Sequence, residues 1–229
     1  QFMNVKCGIM DQFAVAMGKK DHAIKLMCST LEYELVPFKA AGYKLVIGNT
    51  NKRRGLVDSE YNTRRAQCEQ AVADLKSAFP DLTLLGQLTR EQFEAHAHLI
   101  WDETVRKRAR HVVEENDRVL QSVEALKRND LVRFGQLMNE SGDSLRHLYE
   151  VTGKELDALV DEARKVDGVL GSRMTGAGFG GCTVSLVAEE QVEEFIVKVG
   201  EGYKRAVGYA ADFYVADIGD GVRERKDLS

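Results

Sequence analysis

A chain of 229 residues is long enough for one large domain, or for one domain with part of a second. Its formal net charge of −4 argues against nucleic acid as the main partner, because nucleic-acid-binding domains usually present a basic face. No apolar run approaches the ~20 residues of a membrane-spanning helix. We therefore expect a protein that binds neither nucleic acid nor membrane, and we also expect it to be cytoplasmic and monomeric.

The N-terminal quarter predicts one helix followed by three strands. Residues 11–17 suit a short helix, with Asp11 at its N-cap or in its first turn and Gly18 as its end. Residues 22–28 and 31–38 alternate as a pair of strands. Tyr43–Asn49 is an apolar run of the kind found in buried strands, and the small residues at 40–42 mark a candidate domain boundary.

The middle of the chain predicts helices and its last quarter predicts strands. The helical patterns cover 58–79, 89–99, 102–126, 129–148 and 153–166. Strands follow at 169–174 and 182–187, then an amphipathic helix from Val192 to Tyr203 and a strand at 213–218. This order is a βαββαβ frame with an enlarged first crossover, which predicts an α+β fold with a four-stranded sheet.

The cysteines and histidines predict no metal site. Cys7, Cys28, Cys68 and Cys182 lie far apart and form no C-x-x-C pair, so we expect reduced thiols. The five histidines form no HExxH motif.

The segment from Arg173 to Cys182 is unusually rich in glycine. Gly176, Gly178 and Gly181 satisfy GxGxxG, but a strand follows them where the dinucleotide-binding fingerprint requires a helix. No Lys-Ser or Lys-Thr pair follows either, which excludes a Walker loop. Clustered glycines still allow a ligand to approach the backbone closely, so this segment is predicted to be a binding loop, with a tight structural turn as the alternative.

Three segments together resemble the galactokinase family of the GHMP small-molecule kinases: CGIMDQF at 7–13, NTNKRRGLVDSEYNTRR at 49–65 and RMTGAGFGGC at 173–182. The resemblance implies the ferredoxin-like C-terminal domain of that superfamily, with extra helices, at residues 42–229. Residues 1–41 would be the last strands and the catalytic-base helix of the N-terminal domain. The chain begins without Met and without the family's nucleotide loop, so we expect it to be cut from a longer protein.

The same resemblance implies phosphorylation of the anomeric hydroxyl of D-galactose by ATP, the first committed step of Leloir galactose metabolism. Asp11 would be the general base, and Gly8, Asp11 and Tyr61 would bind the sugar. The loop residues Gly176, Ala177, Gly178, Phe179, Gly180 and Gly181 would border the active site. The residues that bind ATP and Mg²⁺ are expected mainly in the missing N-terminal domain, which would be this chain's partner. No residue of this chain is expected to be a metal ligand.

Each of these residues also has a plain structural interpretation. Asp11 suits a helix cap, Gly8 a turn and Tyr61 a hydrophobic core. Basic side chains could face phosphate, but a solvated surface is the default prediction for most of them; they are Lys52, Arg53, Arg54, Arg64, Arg65 and the residues at 106–110.

Other functions stay open at this point. The resemblance also allows a related sugar 1-kinase acting on N-acetylgalactosamine or arabinose, or a non-catalytic galactose and ATP sensor. The fragment alone is expected to be inactive, because the nucleotide loop is absent from it.

Overall fold

The computed structural model describes residues 8–52 and 57–223, and for residues 57–59 it describes the backbone alone. In that part of the chain the strands are β1 (His22–Leu26), β2 (Tyr33–Pro37), β3 (Tyr43–Asn49), β4 (Val169–Thr175), β5 (Cys182–Ala188) and β6 (Asp212–Ala216). The α-helices are α1 (Met10–Met17), α2 (Val57–Leu75), α3 (Arg90–His96), α4 (Glu103–Lys127), α5 (Leu131–Ser144), α6 (Lys154–Ala163) and α7 (Val192–Val207). Every predicted element is present, with ends displaced by a few residues.

The larger of two antiparallel sheets contains four strands in the order β4-β5-β3-β6. β3 is an inner strand, in which Val46 lies opposite Ser185 of β5 and Val215 of β6. Helices α2 to α6 form the crossover from β3 to β4, and α7 connects β5 to β6. The predicted α+β, βαββαβ arrangement is therefore confirmed.

Different layers bury the two faces of this sheet, because successive side chains of a strand point to opposite faces. On one face Val46 packs with Leu159 of α6 and with Phe195 and Tyr203 of α7. On the other face Leu186 of β5 belongs to a separate cluster built from α4, α5 and the chain around β2. Burial of a side chain of this size contributes about 1.5–3 kcal/mol, so both layers are needed to hold the sheet.

Helix α5 lies very close to β4 at two glycines. A Cβ atom on Gly171 would lie 2.3 Å from the carbonyl oxygen of Gly135, and one on Gly135 would lie 2.4 Å from that of Leu170. Both distances are far below van der Waals contact, so this helix and strand can approach only because neither residue has a side chain.

Aspartate side chains cap the starts of two helices, α4 and α5. The Asp102 carboxylate accepts the Thr104 amide proton at 2.7 Å, and Asp130 accepts that of Arg133 at 2.9 Å. In α1 the N-cap is Ile9, which makes no side-chain cap bond, and Asp11 lies in the first turn. Of the two positions predicted for Asp11, the N-cap and the first turn, it occupies the first turn.

The hairpin of β1 and β2 packs against α4. Val36 and Phe38 are buried in one cluster with Val123 and Leu126. The Asp21 amide donates to the Ile218 carbonyl at 3.3 Å, which ties the start of the hairpin to the C-terminal segment. The domain boundary between residues 41 and 42 stays a prediction, and the chain packs extensively across that point.

No helix in the described ranges has the length and apolar character needed to cross a membrane.

Candidate active site

The residues predicted to bind the sugar lie at the starts of two helices. Gly8 precedes α1, Asp11 lies in the first turn of α1, and Tyr61 lies in the second turn of α2. A Cβ atom on Gly8 would lie 4.0 Å from the Tyr61 hydroxyl, so the first two sequence motifs meet here. The Asp11 side chain is exposed, and its negative charge at a helix N-terminus is favourable.

Helix α1 is attached to the rest of the molecule at two points. The ring of Phe13 contacts that of Tyr33 edge to face, with centroids 5.4 Å apart. The Val222 amide donates to the Val15 carbonyl at 2.8 Å. The hairpin and the C-terminal segment therefore both fix the helix that carries Asp11.

A cavity of about 370 Å³ connects Tyr61 with the glycine-rich loop, residues 176–181. Tyr61, Gly176, Ala177 and Phe179 all line it. The rest of its wall comes from α2, α4, the chain at 83–86 and the chain at 149–151. Gly8 and Asp11 do not line this cavity. Tyr61 therefore links the two groups of predicted residues, because it lies near Gly8 and also shares the cavity wall with the glycine-rich loop.

Most glycines of this loop are required by the backbone. Gly176, Gly178, Gly180 and Gly181 have φ values of 81°, 85°, 124° and 87°, and Phe179 has 58°. A Cβ atom on Gly178 would lie 2.2 Å from the Val151 carbonyl oxygen, which also accepts the Phe179 amide proton at 2.7 Å. At Gly176 a Cβ atom would meet nothing within 4 Å, so this end of the loop is open.

The other end of the loop is anchored through Thr50, which is fully buried. Its amide and its hydroxyl both donate to the Gly181 carbonyl, at 2.9 and 2.8 Å. Its own carbonyl accepts the Tyr203 hydroxyl proton at 2.6 Å. The loop therefore combines a closed, packed half with an open half that faces the cavity.

The prediction of a solvated surface is wrong for two arginines. Arg64 is 9% exposed and Arg108 is 2% exposed. Arg64 donates from Nε to the Tyr149 carbonyl at 2.8 Å and from Nη2 to the Glu150 carbonyl at 2.7 Å. Arg108 donates to the Leu148 carbonyl and to the Glu150 carboxylate, each at 2.6 Å. Both bind the end of the π-helical turn Leu145–Tyr149, where backbone carbonyls need donors.

For Arg65 and Lys52 the prediction of a solvated surface agrees better with the structure. Arg65 is half exposed and pairs with Glu69 at 2.9 Å. Lys52 pairs with Glu155 at 2.9 Å while its stem packs on Gly180. Arg53 and Arg54 lie outside the described residues.

Sequence reasoning missed the buried polar cluster beside the cavity. The His111 ring stacks on Tyr149 with centroids 4.5 Å apart, and its Nδ1 lies 2.9 Å from the Ser144 hydroxyl. Burial lowers the pKa of His111 to about 4, with Glu115 opposing that shift and Arg118 adding to it. The ring is therefore neutral at pH 7. The segments at 108–113 and 149–157 carry part of the family resemblance, which is the signal that could have indicated this cluster.

Two further groups of the cavity wall are shifted by burial. Burial raises the pKa of the Cys68 thiol and that of the Tyr149 hydroxyl, whose heavy atoms lie 3.7 Å apart. Both groups are therefore protonated at neutral pH. Cys28, Cys68 and Cys182 are free thiols in the structure, and Cys7 lies outside the described residues.

The described residues do not by themselves form a metal site. Among residues 8–52 and 57–223, no group of three or more His, Cys, Asp or Glu side chains could hold a metal ion. The open end of the loop at Gly176 suits a phosphoryl group, because backbone without a side chain faces the cavity there. Within the described ranges, the open end of the loop is therefore a candidate wall for a ligand, and no cluster of metal-binding side chains accompanies it.

Comparison with known proteins defines the class first. Residues 122–205 match the family model described as "GHMP kinases C terminal". This range runs from α4 through α7 and includes both the glycine-rich loop and the chain at 149–151. The chain therefore contains a GHMP kinase C-terminal domain.

The relatives define the family within that class. The chain is 54% identical to the galactokinase of Fusobacterium nucleatum over 99% of its own length and 58% of the relative's. It is also 54% identical to the galactokinase of Bacillus subtilis, over 98% and 57%. A crystal structure of Lactococcus lactis galactokinase complexed with galactose matches with a TM-score of 0.92 and 49% identity, covering 96% of this chain and 56% of that one. The chain belongs to the galactokinase family and spans less than three fifths of the length of these relatives.

Proposed function

We propose that this chain is the C-terminal part of a sugar kinase that transfers the γ-phosphoryl group of ATP to the anomeric hydroxyl of D-galactose. The observation that carries the proposal is the meeting of three separated motifs at Tyr61. Gly8 approaches its hydroxyl, and Gly176 and Phe179 share a cavity wall with it. The Lactococcus lactis relative, which matches along nearly the whole chain, is a galactose complex.

In this mechanism Asp11 is the general base. A sugar hydroxyl is a weak nucleophile, and the carboxylate accepts its proton as the new oxygen–phosphorus bond forms and the bond to ADP breaks. Tyr61 orients the sugar, and Gly8 lets the backbone approach it. The exposed Asp11 side chain is free to meet a substrate, since Ile9 and not Asp11 occupies the N-cap position.

The glycine-rich loop forms the far wall of the same site. Its packed half at Gly178 and Phe179 supports the open half at Gly176, which would border the sugar and the transferred phosphoryl group. In the complete enzyme ATP would be the phosphoryl donor, and Mg²⁺ would be the cofactor that neutralises phosphate charge. Their ligands are expected mainly from the region that the relatives have and this chain lacks.

That missing region is also the proposed partner of the hairpin and α1. A two-stranded hairpin is marginally stable alone. Its neighbourhood exposes large apolar side chains, namely Met10, Val15, Met27, Leu31 and Tyr33. We expect an N-terminal domain to cover them, and we expect the fragment alone to be inactive. A cytoplasmic location and a monomeric state complete the proposal.

The test is an ADP-release assay on a full-length protein that contains this chain. With ATP and galactose we expect turnover, and Asp11→Asn should lower kcat about 10²–10⁴-fold because general-base catalysis contributes that factor. The matched control is Asp217→Asn, whose side chain is 83% exposed and pairs with Lys44 on the surface. It should keep the wild-type rate.

Other outcomes separate the competing functions. Faster turnover with N-acetylgalactosamine or arabinose would assign the enzyme to a related sugar. Binding of galactose and ATP without ADP release would indicate a sensor. An unchanged rate in Asp11→Asn would remove Asp11 from the mechanism.

A further inference from the structure

Arg64 lies between the sugar-binding tyrosine and the glycine-rich loop. It follows Tyr61 by three residues on α2, so the two side chains lie on neighbouring positions of one helix face. Its guanidinium carbon lies 5.5 Å from the centroid of the Phe179 ring, within the range of a cation–π contact. One helix thus carries both a proposed substrate contact and a contact to the loop.

A second connection runs through residues 149–151. Two guanidinium nitrogens of Arg64 bind the carbonyls of Tyr149 and Glu150. The next carbonyl, that of Val151, accepts the Phe179 amide proton and lies against Gly178. Arg64 therefore reaches the loop both directly and through this segment.

The segment itself is strained and needs external support. Glu150 has a φ of 54°, a left-handed conformation that is uncommon for a residue with a side chain. Arg64 donates to the two backbone carbonyls that flank this residue, those of Tyr149 and of Glu150 itself, and Arg108 binds the Glu150 carboxylate. Only a planar fork can bind two adjacent carbonyls and stack on a ring at once, which lysine cannot do.

We infer that Arg64 is a positioning residue that fixes the glycine-rich loop relative to Tyr61, so that sugar and phosphoryl group meet in the correct geometry. This inference rests on the proposed function for its kinetic consequence. Its structural content, the ordering of the loop by Arg64, does not depend on which substrate is bound.

The kinetic test compares Arg64→Gln with Arg64→Lys in the full-length protein. A misplacement of about 1 Å can cost 10²-fold, so kcat/KM for galactose should fall about 100-fold in Arg64→Gln, and nearly as far in Arg64→Lys. The KM for ATP should change by less than about 3-fold, because the nucleotide loop is expected elsewhere. A rise in the KM for ATP as large as the fall in kcat/KM for galactose would indicate a general loss of the site and would overturn the inference.

The matched control is Arg110→Gln. Arg110 also stacks over a phenylalanine, Phe93, at 5.5 Å and also pairs with a carboxylate, that of Glu94, but it lies on the α3 side of α4. Arg110→Gln therefore removes a cation–π contact and an ion pair away from the loop, and it leaves the carbonyl bonds made by Arg64 intact. Wild-type kinetics are expected.

Hydrogen exchange tests the structural content without any assay of activity. In Arg64→Gln the Phe179 amide, which is bonded to Val151, should exchange at least about 10-fold faster than in wild type, while Arg110→Gln leaves its rate unchanged. An unchanged rate in Arg64→Gln overturns the inference. If that variant does not fold, Phe179→Leu, which removes the ring contact and leaves the carbonyl bonds of Arg64, should raise the same rate by a smaller factor, and an unchanged rate in both Phe179→Leu and Arg64→Lys overturns the inference. A wild-type protein without galactose-dependent ADP release would refute the proposed function, and the exchange rates would still decide the role of Arg64.

Discussion

At the scale of single residues, burial changes the chemistry of side chains that look ordinary in the sequence. Arg64, Arg108 and His111 all belong to helices whose patterns predict a partly solvated face. Each is buried because a distant segment, the end of the π-helical turn, lies against it. Motif resemblance names Asp11, Gly8 and Tyr61 as site candidates, but a partner that is many residues away leaves no local signal that pattern or motif could detect.

His111 leads to a prediction for the pH dependence of stability. Between pH 6.5 and 4 the unfolded chain binds a proton at this ring that the folded chain does not bind, so the free energy of unfolding falls as the pH falls. Between pH 7.5 and 5.5 this group should account for a loss of about 1–2 kcal/mol. Denaturant unfolding of wild type and His111→Gln measures it.

The quantity to compare is the change in the free energy of unfolding with pH, and not its absolute value, because His111→Gln also loses the stacking on Tyr149. The variant should lose less stability than wild type over this pH range. The remaining side chains are common to the two proteins, so the difference between them isolates His111. Equal slopes would mean that His111 becomes protonated in the folded state.

At the scale of elements, the contact of α5 with β4 depends on two missing side chains. The helical period of Leu131, Phe134, Leu137 and Met138 predicted the helix and its apolar face from the sequence. It could not predict how closely that face approaches a strand, because this distance is set by which residue lies opposite Gly135. Glycine in a helix interior usually signals a cost of about 1 kcal/mol, and here the packing explains it.

Gly135→Ala should therefore destabilise the protein although alanine favours helices. The new Cβ atom would lie 2.4 Å from the Leu170 carbonyl oxygen, and moving the helix away would open the packing along β4. We expect a loss of about 1–3 kcal/mol, as in other overpacked cores. The midpoint of chemical denaturation measures it.

Gly219→Ala is the control for that experiment, because a Cβ atom there meets nothing within 4 Å. Its midpoint should match that of wild type. A gain in stability in Gly135→Ala would show that α5 can shift without loss.

At the scale of the whole molecule, the sequence predicted the order of elements and the topology of the sheet. Alternating and helical periods, two glycine-rich turns and the rule for βαββαβ folds were sufficient for that. They did not predict that the hairpin packs on α4 or that residues 218–222 hold α1. Contacts between distant segments follow from three-dimensional packing, which a periodic pattern does not encode.

Phe38 tests how strongly the hairpin belongs to this packing. It is 6% exposed and contacts the Phe134 ring with centroids 5.2 Å apart. Phe38→Ala should lower the free energy of unfolding by about 3–5 kcal/mol, the usual cost of removing a buried phenylalanine. Val132→Ala, at a residue that is 56% exposed, should cost much less.

A chain that begins at residue 42 should unfold at a lower denaturant concentration than the chain described here, because it lacks Val36 as well as Phe38. Equal midpoints for the two chains would mean that residues 1–41 are an independent unit that only rests on the rest.

The strand order β4-β5-β3-β6 has a consequence for protein synthesis. β3 ends at Asn49, yet its neighbours β5 and β6 begin only at Cys182 and Asp212. At 5–20 residues per second, this inner strand waits on the order of ten seconds for its first partner. During that time its apolar side chains and unpaired backbone are exposed to other nascent chains, while the intervening helices can already form. Productive folding in the cell therefore requires that β3 pairs with no other strand until the last quarter of the chain has been made.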